Sequence, residues 1–113
     1  MKRTEMIKRH ESFDDIIKNG KQVKTKYFVL CSKENDVNKT LFGVAVSKKV
    51  GNAVIRNALK RRYRNIIDNN KLLFKNKTNY IIIIRKESLN ADFSKLDETL
   101  QLTLKKENNE KTN

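Results

Sequence analysis

Two rhythms of apolar residues alternate along this chain and predict its elements in turn. Phe13, Ile16 and Ile17 share one face of a helix that Ser12, or Glu11 before it, opens and that runs through Lys18, and Asn19-Gly20 is a helix stop. The period then drops to two. Tyr27, Val29 and Cys31 alternate with Phe28 and Leu30 as a strand over residues 27–32, with Val23 read as a separate short strand ahead of it. A polar turn at 33–39 leads to a second β-rich run at 41–47. Residues 48–51 form a tight loop, and Asn52 is a good N-cap for a helix reaching about Asp68. Residues 80–85, YIIIIR, are apolar without alternation, which suits a strand covered on both faces. Asp92 or Ser94 then caps a last helix with apolar positions at Phe93, Leu96, Leu100, Leu102 and Leu104. The order α-β-β-β-α-β-α predicts an α+β sandwich, one sheet packed by helices, in a single domain over 1–113. Residues 1–9 read as a weakly ordered basic arm and 107–113 as a frayed tail.

Charge singles out one of these elements. Residues 43–67 read GVAVSKKVGNAVIRNALKRRYRNII and hold Lys48, Lys49, Arg56, Lys60, Arg61, Arg62 and Arg64, while no acidic residue occurs between Asp36 and Asp68. Four of the chain's seven arginines fall within 56–64, and the planar guanidinium suits phosphates and stacked bases better than lysine's point charge. On a helical wheel Ile55, Ala58, Leu59 and Ile66 share an arc, with Tyr63 at its margin. Arg56, Lys60 and Arg64 form one i, i+4, i+8 row, and Asn57 and Arg61 form a second beside it, largely opposite the arc. Arg62 falls inside the arc, where its stem can pack while its head snorkels to the edge. Like charges at i, i+4 destabilise an isolated helix by about 0.2–0.5 kcal/mol per pair. An uninterrupted row of them implies an anionic partner, since solvated faces normally mix both signs. Free N–H groups at the helix start, beside Gly51, add a weak phosphate signal.

Composition narrows the function further. A net charge of +13 opposes compact folding by self-repulsion, a cost that a bound polyanion relieves. The excess sits in the arm and the central segment, because residues 86–113 carry five lysines against six carboxylates. One cysteine and one histidine cannot complete a structural zinc site. Cys31 cannot form an intramolecular disulfide, which suits a reducing compartment, the cytoplasm. No apolar stretch of signal length follows residues 1–9, and the run at 81–84 is far too short to span a bilayer. No long helix carries a lipid-facing stripe, so no membrane partner is expected. His10 reads as a surface histidine, Asp14-Asp15 as complements of a helix dipole, and Cys31 as a packing residue, so no catalytic side chain stands out. Phe13 and Tyr27 serve equally as core aromatics or as platforms for bases. A nucleic-acid binder follows. A ribosomal or other structural RNA-binding protein shares these features, whereas a nuclease with its own active site would need a carboxylate cluster that is missing.

The run from Ser47 to Asn57, SKKVGNAVIRN, followed by Lys60-Arg61 and Arg64, closely resembles the signature of the bacterial ribonuclease P protein subunit. The basic arm, ESFDDIIKNG, the strand pair, YIIIIRK and the terminal amphipathic helix fall in that family's order, so the resemblance covers nearly the whole chain. It implies a small basic protein, with no catalytic residues of its own, that binds a large catalytic RNA. The RNA, using magnesium that it mainly holds itself, hydrolyses precursor tRNA to remove the 5′ leader. The protein alone binds no cofactor and requires no protein partner. Carried over by position, Lys48, Lys49, Asn52, Arg56, Asn57 and Arg61 contact the catalytic RNA. Phe13, Ile17, Val29, Cys31, Lys60 and Arg64 line a shallow cleft between helix and sheet that accepts the leader. The implied fold includes a left-handed βαβ crossover through the central helix, against the general right-handed rule. The chain departs from the family pattern at Ala58, where arginine is common, and at Ile17 and Cys31, where aromatics are frequent. Stacking in the cleft then rests more on Phe13.

Overall fold

A computed structural model of the chain describes residues 1–8 and 10–110. Arg9, residues 111–113 and the side chains of 10–12, 109 and 110 lie outside the described residues. The expectations for Ser12 or Glu11 as a cap, for His10 as a surface residue and for the end of the tail lie there too. Helix α1 (His10–Asn19) leads into β1 (Lys21–Lys24), β2 (Phe28–Glu34) and β3 (Leu41–Val46). Helix α2 (Ala53–Asn69) then leads to β4 (Thr78–Ile84), and α3 (Phe93–Glu110) follows. The strands form one sheet in the order β1-β2-β4-β3. Strand β2 is antiparallel to both β1 and β4, while β3 runs parallel to β4, so β3-α2-β4 is a βαβ unit. The predicted class and element order hold.

Strand β4 is apolar from Tyr80 to Ile84 because it is central and covered twice. Ile81 packs with Ile16 of α1 and Cys31. Ile82 and Ile84 pack into the larger core on the other face, with Leu30 of β2, Leu59 and Tyr63 of α2, and Leu96 and Leu100 of α3. The Asn19-Gly20 stop operates as expected. The Gly20 N–H donates to the Ile16 carbonyl at 2.9 Å, and a side chain at Gly20 would collide with the carbonyls of Ile16 and Ser32.

The buried stripe of α2 is displaced from the wheel's arc. Leu59, Tyr63, Ile66 and Ile67 are buried, whereas Ala58 is exposed. Ile55 is 38% exposed, because burial of α2 begins only at Leu59 and Ile55 folds back on Gly51 instead. Tyr63 belongs to the core rather than its margin because its hydroxyl has a buried partner. It lies 2.8 Å from Ser88 Oγ, which in turn donates to the Tyr27 carbonyl at 2.8 Å. Burial pushes the Tyr63 phenol up to about 12. In α3, Leu96, Leu100 and Leu104 form the buried row, and Leu102, two residues from its neighbours in that row, turns out to solvent.

Residues 1–7 and 107–110 are more ordered than their composition suggests. Arg3–Glu5 form a 3-10 turn, and the Glu5 carboxylate accepts from Lys71 Nζ. Met6 bridges Phe42 in parallel, and the Ile7 N–H donates to the Phe42 carbonyl at 2.9 Å. The expected loose arm thus covers part of the open edge of β3, satisfying backbone groups that an edge strand leaves free. Helix α3 continues through Glu110 rather than fraying at 107. Glu107 is buried and lies 3.7 Å from Lys21 Nζ, and Asn108 Nδ2 donates to the Leu73 carbonyl at 3.2 Å.

Candidate nucleic-acid interface

Two short-range caps build the start of α2. Ser47 Oγ accepts the Lys49 N–H at 3.2 Å and tightens residues 48–51 into a 3-10 turn, Lys48–Val50. Asn52 Oδ1 accepts the Ile55 N–H at 3.0 Å and caps the helix. The oxygen of Asn52 is therefore structural, and its amide group is left for a ligand. Lys48, Lys49, Asn52, Asn57 and Arg61 are all exposed.

Arg56, Lys60 and Arg64 differ from that set in being half-buried. Their row runs along the flank of α2, between the outward row and the buried stripe. Arg56 shares this flank rather than the outward face, and its Nε is buried without a hydrogen-bond partner. Among the described residues, none of Lys48, Lys49, Arg56, Lys60, Arg61, Arg62 or Arg64 forms an ion pair. Five carboxylates pair elsewhere: Glu107 with Lys21, Asp15 with Lys33, Glu5 and Asp68 with Lys71, and Glu87 with Arg85. The central helix keeps an unneutralised positive field.

The cleft follows from strand register. Cys31, Ile81 and Gly43 pair across β2, β4 and β3, and α1 lies over this row. Phe13 stands on Gly43 so closely that a Cβ there would lie 2.5 Å from Phe13 Cζ. The next row on the same face, Val29–Ile83–Ala45, is only half-covered. Phe13 and Ile17, at i and i+4 on α1, pack against the same buried cluster of Ile16, Cys31 and Ile81 as Val29 and Ile83 do. At its β3 end the face opens into a hollow of about 390 Å³ lined by Ile7, Lys8, Phe13, Val44, Ala45, Val46 and Lys60.

The structure therefore brings Phe13, Ile17 and Val29 onto one face, with Lys60 at its mouth. Cys31 is a correction. It is 0% exposed beneath α1, so it underlies the cleft and cannot touch a bound base, and burial raises its thiol pKa. Arg64 continues the row one turn beyond Lys60 and does not line the hollow. Ile83, Ala45, Ile7 and Lys8 are additions that sequence reasoning missed. Ile83 was hidden in a run read as uniformly buried. Ile7 and Lys8 lie in an arm without periodicity, whose one clue is the apolar pair Met6-Ile7.

Fold and site together define a class: a small basic α+β protein with an unpaired cationic row on one helix and an apolar shelf beside it. The Ribonuclease P family model matches residues 1–108. The ribonuclease P protein component of Streptococcus pneumoniae serotype 4 is 36% identical over 105 residues, covering 93% of this chain and 85% of that one. The solved RNase P protein from Thermotoga maritima superposes with a TM-score of 0.81 at 31% identity, covering 90% of this chain and 96% of that one. The Staphylococcus aureus RNase P protein gives 0.80 at 30% identity, covering 89% and 93%. The chain belongs to the bacterial ribonuclease P protein family. It is a component of a tRNA-processing ribonucleoprotein, partnered by ribonuclease P RNA.

Proposed function

We propose that this chain binds the catalytic RNA of ribonuclease P and the 5′ leader of precursor tRNA on two different surfaces, and so assists magnesium-dependent removal of the leader in the cytoplasm. Lys48, Lys49, Asn52, Asn57 and Arg61, with Arg56, meet the catalytic RNA. Phe13, Ile17 and Val29 meet the leader, with Lys60 and Arg64 holding its phosphates from the flank of α2. The observation that carries this reading is the unpaired cationic row of α2 beside a half-covered apolar row.

Each part has a physical task. Cations on the outward row replace counterions on RNA phosphates, which drives binding by counterion release. The Phe13 ring offers a π-face to a leader base, a contact that tolerates any base. Lys60 places positive charge where the leader approaches the catalytic RNA, and so offsets the repulsion between two polyanions that magnesium must otherwise screen. Among the described residues no three His, Cys, Asp or Glu side chains lie close enough to hold a metal ion. In this reading the catalytic RNA carries the magnesium-dependent hydrolysis, and the residues of this chain bind and orient the two RNAs.

The test is precursor tRNA cleavage at low magnesium by RNA alone, by protein alone and by both. Cleavage by the two together, with little from RNA alone and none from protein alone, is the expected result. Cleavage by RNA-free protein would overturn the assignment.

A further inference from the structure

The half-covered row of the cleft does not end at β2. Val29 pairs with Lys24 of β1, so one register line crosses all four strands as Ala45–Ile83–Val29–Lys24. At the usual inter-strand spacing this line is about 14 Å long. Side chains alternate along a strand, and Gln22, two residues before Lys24, donates from Nε2 to the Ile17 carbonyl of α1 at 2.6 Å. Lys24 therefore projects on the α1 face, at the opposite end of the apolar row from Lys60. It is exposed and has no ion pair among the described residues. Lys24 also borders a hollow between β1 and α3 lined by Val23, Thr25, Leu102, Thr103, Lys106 and Glu107. Val23, which pairs with Leu30 of the larger core, is the β1 side chain that faces that way.

The apolar floor offers no hydrogen-bonding side chain between its two charged ends. A single strand of RNA laid across it gains contact from bases over Ile83 and Val29, and among the described residues Lys60 and Lys24 stand at its two ends to meet phosphates. We propose that Lys24 is a second phosphate anchor for the leader, so that the leader crosses the sheet from β3 to β1 instead of leaving at the Phe13 hollow. This rests on the leader reading above. It makes Lys24 a contact that matters only for leaders long enough to span the sheet.

The experiment measures affinity of the assembled ribonucleoprotein for precursor tRNAs with leaders from one to about ten nucleotides, using Lys24→Ala, Lys24→Arg and Phe13→Ala. Lys24→Ala should bind long leaders about threefold or more weakly, bind the one-nucleotide leader normally, and lower the salt slope for long leaders by about 0.7. Lys24→Arg should restore both. Lys24 is exposed, and an unchanged unfolding midpoint of Lys24→Ala checks that the fold is intact. A loss independent of leader length would place Lys24 on the catalytic RNA and overturn the proposal. No loss at any length, with Phe13→Ala still impaired, would overturn this anchor and leave the cleft standing. A flat response to Phe13→Ala would overturn both.

Discussion

Gly43→Ala tests the cleft with a single methyl group. Gly43 lies in the middle of β3 without a positive φ, so alanine fits the backbone, and relief of glycine's entropy cost favours the variant by about 0.5–1 kcal/mol. The new Cβ would stand 2.5 Å from Phe13 Cζ and 3.0 Å from Cε2. The ring must therefore move. Overpacking of this kind costs about 1–3 kcal/mol, which leaves a net destabilisation between about zero and 2.5 kcal/mol. The protein should stay folded while Phe13 is displaced from its place beside the Val29–Ile83–Ala45 row. Stacking on one aromatic contributes about 1–3 kcal/mol, so precursor tRNA should bind about 5- to 150-fold more weakly, while mature tRNA binds as before. The assay is equilibrium binding of labelled precursor and mature tRNA to the assembled ribonucleoprotein, with Gly43→Ala, Phe13→Ala and the double variant. If glycine acts only by seating Phe13, the double variant should be no worse than Phe13→Ala alone. Additive losses, or equal losses for mature tRNA, would refute the placement of Phe13 in a leader cleft.

Other substitutions probe the frame and the second surface. Leu59→Ala removes the first buried residue of α2 and should cost about 2–5 kcal/mol, read as a lower urea midpoint with an unchanged slope; an unchanged midpoint would place Leu59 at the surface. Arg61→Ala should weaken assembly with the catalytic RNA equally for every leader length, and a leader-dependent effect in a binding titration would reverse the assignment of the two rows. The hydrogen bond from Lys71 lowers the Glu5 carboxyl below its ordinary 4.5. The folded value lies below the unfolded one, so this pair stabilises the fold above the ordinary glutamate range and is lost as pH falls through the lowered value. Glu5→Gln should therefore reduce the unfolding midpoint at neutral pH and flatten its fall in acid; a parallel shift at all pH values would show that the charge is not responsible.

Local pattern determined the element order, because hydrophobic periodicity and caps act over a few residues. The stop at Asn19-Gly20, the Asn52 cap, the apolar run at 80–84 and the cationic row of α2 each carry their cause within one or two turns of chain. The family was legible for the same reason: its signature residues are contiguous at 47–64, and a one-signed helix conflicts with its own stability unless an anion meets it. Pairing between distant segments was not legible. Residues 27–34 and 41–46 follow one another in the chain as if to form a hairpin, yet β4 inserts between them, since its apolar faces are buried only at the centre of the sheet. Insertion and register put Ile83 and Ala45 beside Val29 and created the cleft floor. They also sealed Cys31 under α1, two residues along β2 from the row it was expected to join. The alternation along a strand is visible in sequence, but which row a helix covers depends on where that helix crosses the sheet. Tyr63 shows the same limit: a residue at the margin of the wheel became core because Ser88, 25 residues away, supplies its hydroxyl with a partner. Sequence settles which residues are chemically able to act, and only the tertiary structure decides which of them are within reach of a ligand.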